Sequence, residues 1–417
     1  MSQLNTIFYN FILQKPIGKV KREVIVKEYF EGGLKMTNLK TFLLSIKATW
    51  IRRLINNDKL KDILKSFDIN FEELSETGIE NMENCLKNCL NPFWKDVLNV
   101  WIDILKKKNN THWIEYLTSP IWCNSDIKID GKGIFYRDWF DKGVKIVNDL
   151  IDESGDFLSL EKFQERFGIQ TNFLKYYGIT KSLKKLSEKH NRSPADTLKI
   201  FYPYKPHNLF IFLKNKKGSK DFYKVLLTNE SEPTNKEKVM QKFDFSSSDI
   251  KNVYKLPFIT TCDSRLQWFQ YKINHFVLTT NTFLVKIKLK TNPLCTFCGN
   301  HQETMIHLLW ECDKVVSLLD NFDKWLIENA HSSINYNKKS FIFGIINSKH
   351  SNVQNLILMQ IKHYIYSCRC LNKALNLQGL QKSIKNLYEK EKYAALLAQN
   401  IELFDREWAK WQLLLDA

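Results

Sequence analysis

Eighteen residues, Cys295 to Cys312, restrict this chain more than any other stretch. They read CTFCGNHQETMIHLLWEC, a C-x2-C-x8-H-x4-C spacing. Zinc takes thiolate and imidazole ligands in a tetrahedron, and a C-x2-C pair spans one edge of it from a single tight turn. Gly299 and Asn300 follow the second cysteine, where the chain has to reverse direction. Cys295, Cys298, His307 and Cys312 are therefore the candidate metal ligands, the last two delivered by a short helical stretch and the turn after it. His301 is the competing imidazole, although C-x2-C-x2-H leaves little backbone to wrap an ion. Glu303, one helical turn before His307, can orient that ring as a hydrogen-bond acceptor or complement a helix dipole. Four ligands describe a closed structural site with no open catalytic position. The competing reading is coincidence among nine cysteines, since Cys85, Cys89, Cys123, Cys262, Cys368 and Cys370 lie outside the cluster.

The rest of the chain has to explain what such a knuckle serves. At 417 residues there is material for several packed domains, and 11 Trp with 28 Phe supply real cores. Gly and Pro are scarce, at 14 and 9, which favours helices over turn-rich β architecture. No apolar run approaches a membrane span and no secretory leader opens the sequence, so the expected setting is intracellular, nuclear or cytoplasmic. Reduced cysteines then suit metal binding better than a disulfide framework.

Net charge is +17 and unevenly spread: +8 over residues 1–65, −8 over 66–165 and +17 over the remainder. Basic segments neutralise phosphates and release counterions, which makes a polyanion the natural partner. An ordinary lysine-rich soluble surface is the alternative.

Coarse patterning gives a mainly α, multi-domain chain with short β-hairpins and the small CCHC knuckle. The expected divisions are a basic segment 1–65, a helical connecting domain 66–200, a proline-bounded linker region 201–262, a knuckle domain 263–330 and a C-terminal helical domain 331–417. Val24–Val26 reads as a short strand and Gly32-Gly33 as a tight turn. Thr37 or Asn38 caps a helix carrying Leu39, Phe42, Leu43, Ile46, Trp50 and Leu54 at the 3.6 period. Lys40 and Lys47 share its other face, with Arg52 and Arg53 near its end. Residues 91–107 form an amphipathic helix whose Trp94, Leu98, Trp101 and Leu105 stripe reads as core. A hairpin is expected near 125–137, with Gly131 and Gly133 in or near its turn. A turn then leads into a capped helix ending at Phe167-Gly168. Ser193-Pro194 reads as a helix start, residues 201–208 as a domain boundary and 228–238 as a polar loop.

From Asp263 a helix runs through SRLQWFQYKINHFVL. One stripe is apolar, Leu266, Phe269, Ile273, Phe276 and Val277; a second holds Arg265, Trp268, Lys272 and His275. Aromatic and cationic groups mixed in this way suit base stacking and phosphate contact, while a helix buried on two sides has the same pattern. Next, residues 285–290 alternate apolar residues with Lys286, Lys288 and Lys290, which share one face if the segment is extended.

Catalytic signatures are missing. There is no Gly-rich nucleotide cradle, no paired-histidine zinc protease motif and no adjacent aspartate pair of a two-metal polymerase. Neither an enzymatic activity nor a small-molecule substrate is expected.

These segments together resemble the C-terminal third of non-LTR retrotransposon (LINE-type) polyproteins, downstream of the reverse transcriptase core. Lys19–Arg22, Glu31–Met36, Trp50 and Arg52–Leu54 are similar to the thumb-side stretch after the palm. Asn91–Trp94 and Pro120–Trp122 are similar to the connecting helical region. Leu266–Tyr271 with His275 resembles the lead into the family's reverse transcriptase zinc-binding domain. Cys295, Cys298, Glu303-Thr304, His307–Trp310 and Cys312 match that domain's metal motif position by position. The chain departs from the family at Phe11–Leu13, where a tryptophan often ends an aromatic run, and at Phe276, where a basic residue is usual. The family's aspartate pair, palm and endonuclease have no counterpart here.

The resemblance implies Zn2+ as cofactor and RNA or DNA as partner, held during target-primed reverse transcription. A complete polyprotein acting in trans is a further implied partner. The nucleic-acid contacts it suggests are Lys40, Lys47, Arg52, Arg53, Trp268, Lys272, Lys286, Lys288 and Lys290. The alternative is a zinc-stapled structural or protein-interaction remnant of a mobile element.

Overall fold

The computed structural model of the chain describes residues 2–13, 20–55, 57–108, 117, 119–189, 218–227, 231–330, 333–346 and 352–411. The expected helix start at 193–194 and the boundary at 201–208 lie outside these residues. The protein is mainly helical, with one two-stranded antiparallel sheet among the described residues. No described helix is long and apolar enough to cross a membrane. Contacts divide the chain into two compact units, residues 38–228 and residues 2–37 with 229–417. The division at residue 37 therefore passes through the basic segment 1–65.

The first unit opens with α3 (Leu39–Ile55), α4 (Asp58–Lys65), α5 (Phe71–Glu76), α6 (Ile79–Asn88) and α7 (Pro92–Lys108), the short helices α1 (Ser2–Leu13) and α2 (Arg22–Ile25) belonging to the second. Side chains set several helix starts: Asn38, Asn57 and Asn70 each accept a backbone N–H three residues on, worth about 1 kcal/mol per cap. The tryptophan stripe of α7 is core, as expected, with Trp94, Leu98 and Trp101 buried. Helix α3 buries only part of the expected stripe: Leu54 is in the core and Trp50 packs against it. Its buried residues are Ser45, Ala48, Ile51 and Leu54, whereas Phe42, Leu43 and Ile46 are each 40% exposed. The small residues Ser45 and Ala48 line the side on which α7 and the later helix α11 (Lys220–Leu226) pack.

The remainder of this unit is a second core around Trp122 and Trp139, both fully buried. Strands β1 (Lys128–Ile129) and β2 (Lys132–Gly133) form the expected hairpin. Asp130 and Gly131 both have positive φ, 51° and 75°, as the two-residue turns that match strand twist require. Helices α8 (Arg137–Asp141), α9 (Leu160–Phe167) and α10 (Phe173–Lys189) complete it. Ser159 caps α9, and Gly168 ends it in the left-handed conformation.

The second unit holds the larger core. Its helices are α12 (Lys236–Phe243), α13 (Ser247–Thr260), α14 (Ser264–Asn274), α15 (Asn281–Lys286), α16 (Asp313–Ala330), α17 (Lys338–Phe343), α18 (Asn352–Cys370), α19 (Leu377–Leu397) and α20 (Ile401–Trp408). The polar stretch 228–238 is thus a loop only as far as Asn235, after which α12 begins. Pro257 lies inside α13 and cannot donate to the carbonyl four residues back. That carbonyl, of Val253, instead accepts from Asn274 Nδ2 at 2.8 Å, which ties α13 to α14.

Residues 24–26 are not a strand. Val24 and Ile25 lie in α2 and are fully buried against Tyr9 and Tyr271, so tertiary burial outweighs β-branched propensity. Gly32 makes the predicted turn at φ 84°, where an added Cβ would meet the His275 ring and Pro233.

Two helices of this unit end by the same device, α14 earlier than its pattern suggests and α15 inside a segment expected to be extended. In α14 the N–H groups of Phe276 and Val277 return to the carbonyls of Ile273 and Lys272, with Phe276 at φ 56°. In α15 those of Lys288 and Leu289 return to Val285 and Leu284, with Lys288 at φ 60°. These are Schellman closures with a side chain where glycine is usual. Residues 285–290 are therefore a helix end and a turn, and the expected extended lysine face is absent.

Candidate metal centre

The four candidate ligands converge. Cys295, Cys298, His307 and Cys312 bring their ligand atoms within 4.8 Å of one another, a group that could hold a metal ion. The Cys295 and Cys312 sulfurs are 3.8 Å apart, and Cys298 Sγ is 3.4 Å from His307 Nε2. A tetrahedron with metal–sulfur bonds of about 2.3 Å and a metal–nitrogen bond of about 2.0–2.1 Å has edges of roughly 3.8 Å and 3.5 Å. Both separations match.

Local folding explains the convergence. Gly299, at φ 68°, turns the chain after Cys298, and its N–H donates to the Cys295 carbonyl at 2.9 Å. The Cys295 N–H donates to the His301 carbonyl at 2.8 Å, closing the loop. His307–Glu311 is a π-helical turn in which the Cys312 N–H reaches the His307 carbonyl. Five residues on an α-helix rotate about 1.4 turns and would separate these two side chains; the wider turn brings them nearer one side. Cys312 then starts α16, its carbonyl accepting from Val315 and Val316.

Each sulfur also faces backbone donors: Cys295 those of Cys298 and Phe297, Cys298 those of Asn300 and His301, Cys312 those of Lys314 and Val315. Burial raises the Cys298 thiol, but these donors and the His301 and His307 rings outweigh it and bring it down to about 6. Burial dominates at Cys295, pushed up to about 12, and also raises Cys312. A cation among the three would offset that burial cost, because metal coordination deprotonates thiols outright. His301 is exposed, its ring centroid 5.4 Å from that of His307, and the converging imidazole is that of His307.

Glu303 does not orient His307, as its spacing suggested. It is fully buried and points away, accepting from the Asn281 N–H at 2.8 Å, the Thr296 N–H at 2.9 Å, the Thr296 hydroxyl at 2.7 Å and Arg369 Nε at 3.0 Å. Burial alone would raise its carboxyl; the Thr296, Asn281 and Arg369 donors hold it below the usual range. Three partners of this network, Asn281, Thr296 and Arg369, carry no sequence signal, since Arg369 is 66 residues from Glu303.

The basic candidates are scattered by comparison. On α3, Lys40 and Arg53 are exposed, with Arg53 stacked 4.4 Å from the Trp50 ring. Lys47 pairs with Asp96, and Arg52 donates to the Gly218 carbonyl at 2.9 Å. On α14, Lys272 lies 5.0 Å from the Trp268 ring, and Trp268 packs against Tyr271. Arg265 pairs with Asp263 at 2.9 Å. His275, from the same stripe, is buried between Tyr254 and Tyr271, and burial brings it down to about 4. It is neutral at physiological pH and unsuited to phosphate. Lys286, Lys288 and Lys290 are exposed, and Lys290 Nζ donates to Asn281 Oδ1 at 2.9 Å.

No protein-family model matches this chain, and no curated protein matches it.

Proposed function

We propose that this chain is the zinc-holding, nucleic-acid-binding C-terminal region of a non-LTR retrotransposon reverse transcriptase. Its role is to hold template RNA or target DNA, the chemistry being carried by another part of the polyprotein or by a complete copy in trans. One observation carries the reading: three thiols and one imidazole, in the order and spacing of that family's zinc motif, converge within 4.8 Å of one another, two of their separations matching tetrahedral edges. The donor set is that of structural zinc. Bound there, the ion cross-links the C-x2-C turn to the start of α16. The net charge of +17 and the exposed lysines 286, 288 and 290 support a polyanionic partner.

The test is equilibrium binding to single-stranded RNA across salt concentrations. Affinity is expected to fall by roughly tenfold or more between about 50 and 200 mM salt. Undetectable binding at the lower salt, or a salt-independent constant, rejects the phosphate-binding role. A second reading has its own support: Lys47 and Arg52 have partners within the fold and His275 is buried. Under that reading zinc staples a structural or protein-interaction module. It predicts stoichiometric zinc without salt-sensitive RNA binding.

A further inference from the structure

The carboxylate of Glu303 is buried, and its two oxygens reach three separate parts of the chain. Oε2 accepts the N–H and the hydroxyl of Thr296, which sits inside the C-x2-C turn directly after Cys295. Oε1 accepts the N–H of Asn281, the first residue of α15, and pairs with Arg369 near the end of α18. Asn281 closes the ring. Its Nδ2 donates to the Leu294 carbonyl at 2.7 Å, and its Oδ1 accepts from Arg369 Nη2 at 2.7 Å. Arg369 is only 9% exposed at its side chain. A buried carboxylate is costly to maintain unless paired and fully hydrogen-bonded, and every partner here is a donor.

We propose that Glu303 is a positioning residue of the metal centre: it clamps the Cys295–Cys298 turn to α15 and α18 and so holds the thiols preformed for the ion. The role rests on the zinc reading of the cluster. Groups that fix metal ligands from behind lose about 10–100-fold in metal affinity when replaced. Glutamine is nearly isosteric with Glu303 but has one acceptor oxygen and a donor amide. It cannot serve Thr296 on one side and Asn281 with Arg369 on the other.

The experiment titrates the metal-free full chain with Co2+ under chelator competition, following the visible absorption of tetrahedral thiolate-bound cobalt. Circular dichroism under the same conditions establishes that each variant is folded. Glu303→Gln is expected to bind at least about tenfold more weakly while keeping the tetrahedral thiolate spectrum, because the ligands themselves are intact. Thr296→Ala, which removes one hydroxyl donor from the same oxygen, is expected to lose about two- to tenfold, the equivalent of one hydrogen bond. Arg369→Lys, which keeps the cation, is expected to stay closer to the wild-type affinity than Glu303→Gln. A folded Glu303→Gln chain with wild-type affinity overturns the positioning role. Should that variant fail to fold, Thr296→Ala decides, and an unchanged affinity there overturns it equally. A wild-type chain that takes up no Co2+ overturns the metal reading itself, a result distinct from equal affinities across the variants.

Discussion

The loop Cys295–Cys312 and helix α3 deploy their polar groups in opposite ways. In the loop they turn inward: three sulfurs face backbone N–H groups, four ligand atoms share one small volume, and Glu303 grips the turn from behind. On α3 the basic groups are engaged singly, Lys47 by Asp96, Arg52 by a backbone carbonyl and Arg53 by the Trp50 ring. A coordination site depends on convergence to within a few tenths of an ångström. An electrostatic surface depends only on the sum of its charges, so its members tolerate individual partners and scatter. The first kind of site can be broken by one atom; the second has to be eroded.

The largest expected effect is at the ligands. Cys298→Ser and Cys312→Ser should each lose stoichiometric zinc by elemental analysis, and the loop should become sensitive to limited proteolysis. Structural zinc contributes on the order of 10 kcal/mol to small domains that depend on it. Full zinc occupancy in both variants would reject the ligand set.

Next comes the choice of buried face on α3. Ile51→Ala should cost about 2–5 kcal/mol in urea unfolding, whereas Phe42→Ser and Leu43→Ser should stay within about 0.5 kcal/mol. The reverse order would mean that the apolar stripe, rather than the Ser45–Ala48 side, is the packed one.

A third effect is a slope. Lys362 is fully buried on α18, donating to Gln270 Oε1 at 2.7 Å and to the Ile342 carbonyl at 2.9 Å. Burial holds its amine well below the ordinary 10.5. Between the folded value and 10.5 the unfolded chain binds the extra proton, so stability rises with pH across that window and is lost as pH falls through it. His275, brought down to about 4 by burial, acts in the same direction between about 6.5 and 4. Lys362→Met should flatten the upper part of the stability–pH profile; an unchanged slope would show that the amine titrates normally.

The smallest structural effect belongs to the exposed lysines. Replacing Lys286, Lys288 and Lys290 together with alanine should leave the melting temperature nearly unchanged. It should reduce the salt slope of RNA binding by about 2 if all three meet phosphates of a single strand. An unaltered slope removes this turn from the interface.

The same contrast explains what could be read in the sequence. The ligand set was legible because spacing, a Gly299 turn and a short helical stretch are local. The hairpin at Asp130-Gly131 and the caps of α3 and α9 were legible for the same reason. The face of α3 was legible only at its Trp50–Leu54 end: nearer its start, packing against α7 and α11 buries Ser45 and Ala48 and leaves Phe42, Leu43 and Ile46 at the surface. The fate of residues 285–290 was not legible, because a Schellman closure with Lys288 in the glycine position has no compositional signal. Glu303 was singled out with the wrong partner, since its true partners include Arg369 on a distant helix.

X-ray absorption at the zinc edge of the purified full chain tests the central claim most directly. The account predicts one zinc per chain with three sulfurs at about 2.3 Å and one nitrogen at about 2.0–2.1 Å, and loss of that shell in Cys312→Ser. A shell of nitrogen and oxygen only, or an identical three-sulfur shell in Cys312→Ser, would contradict it.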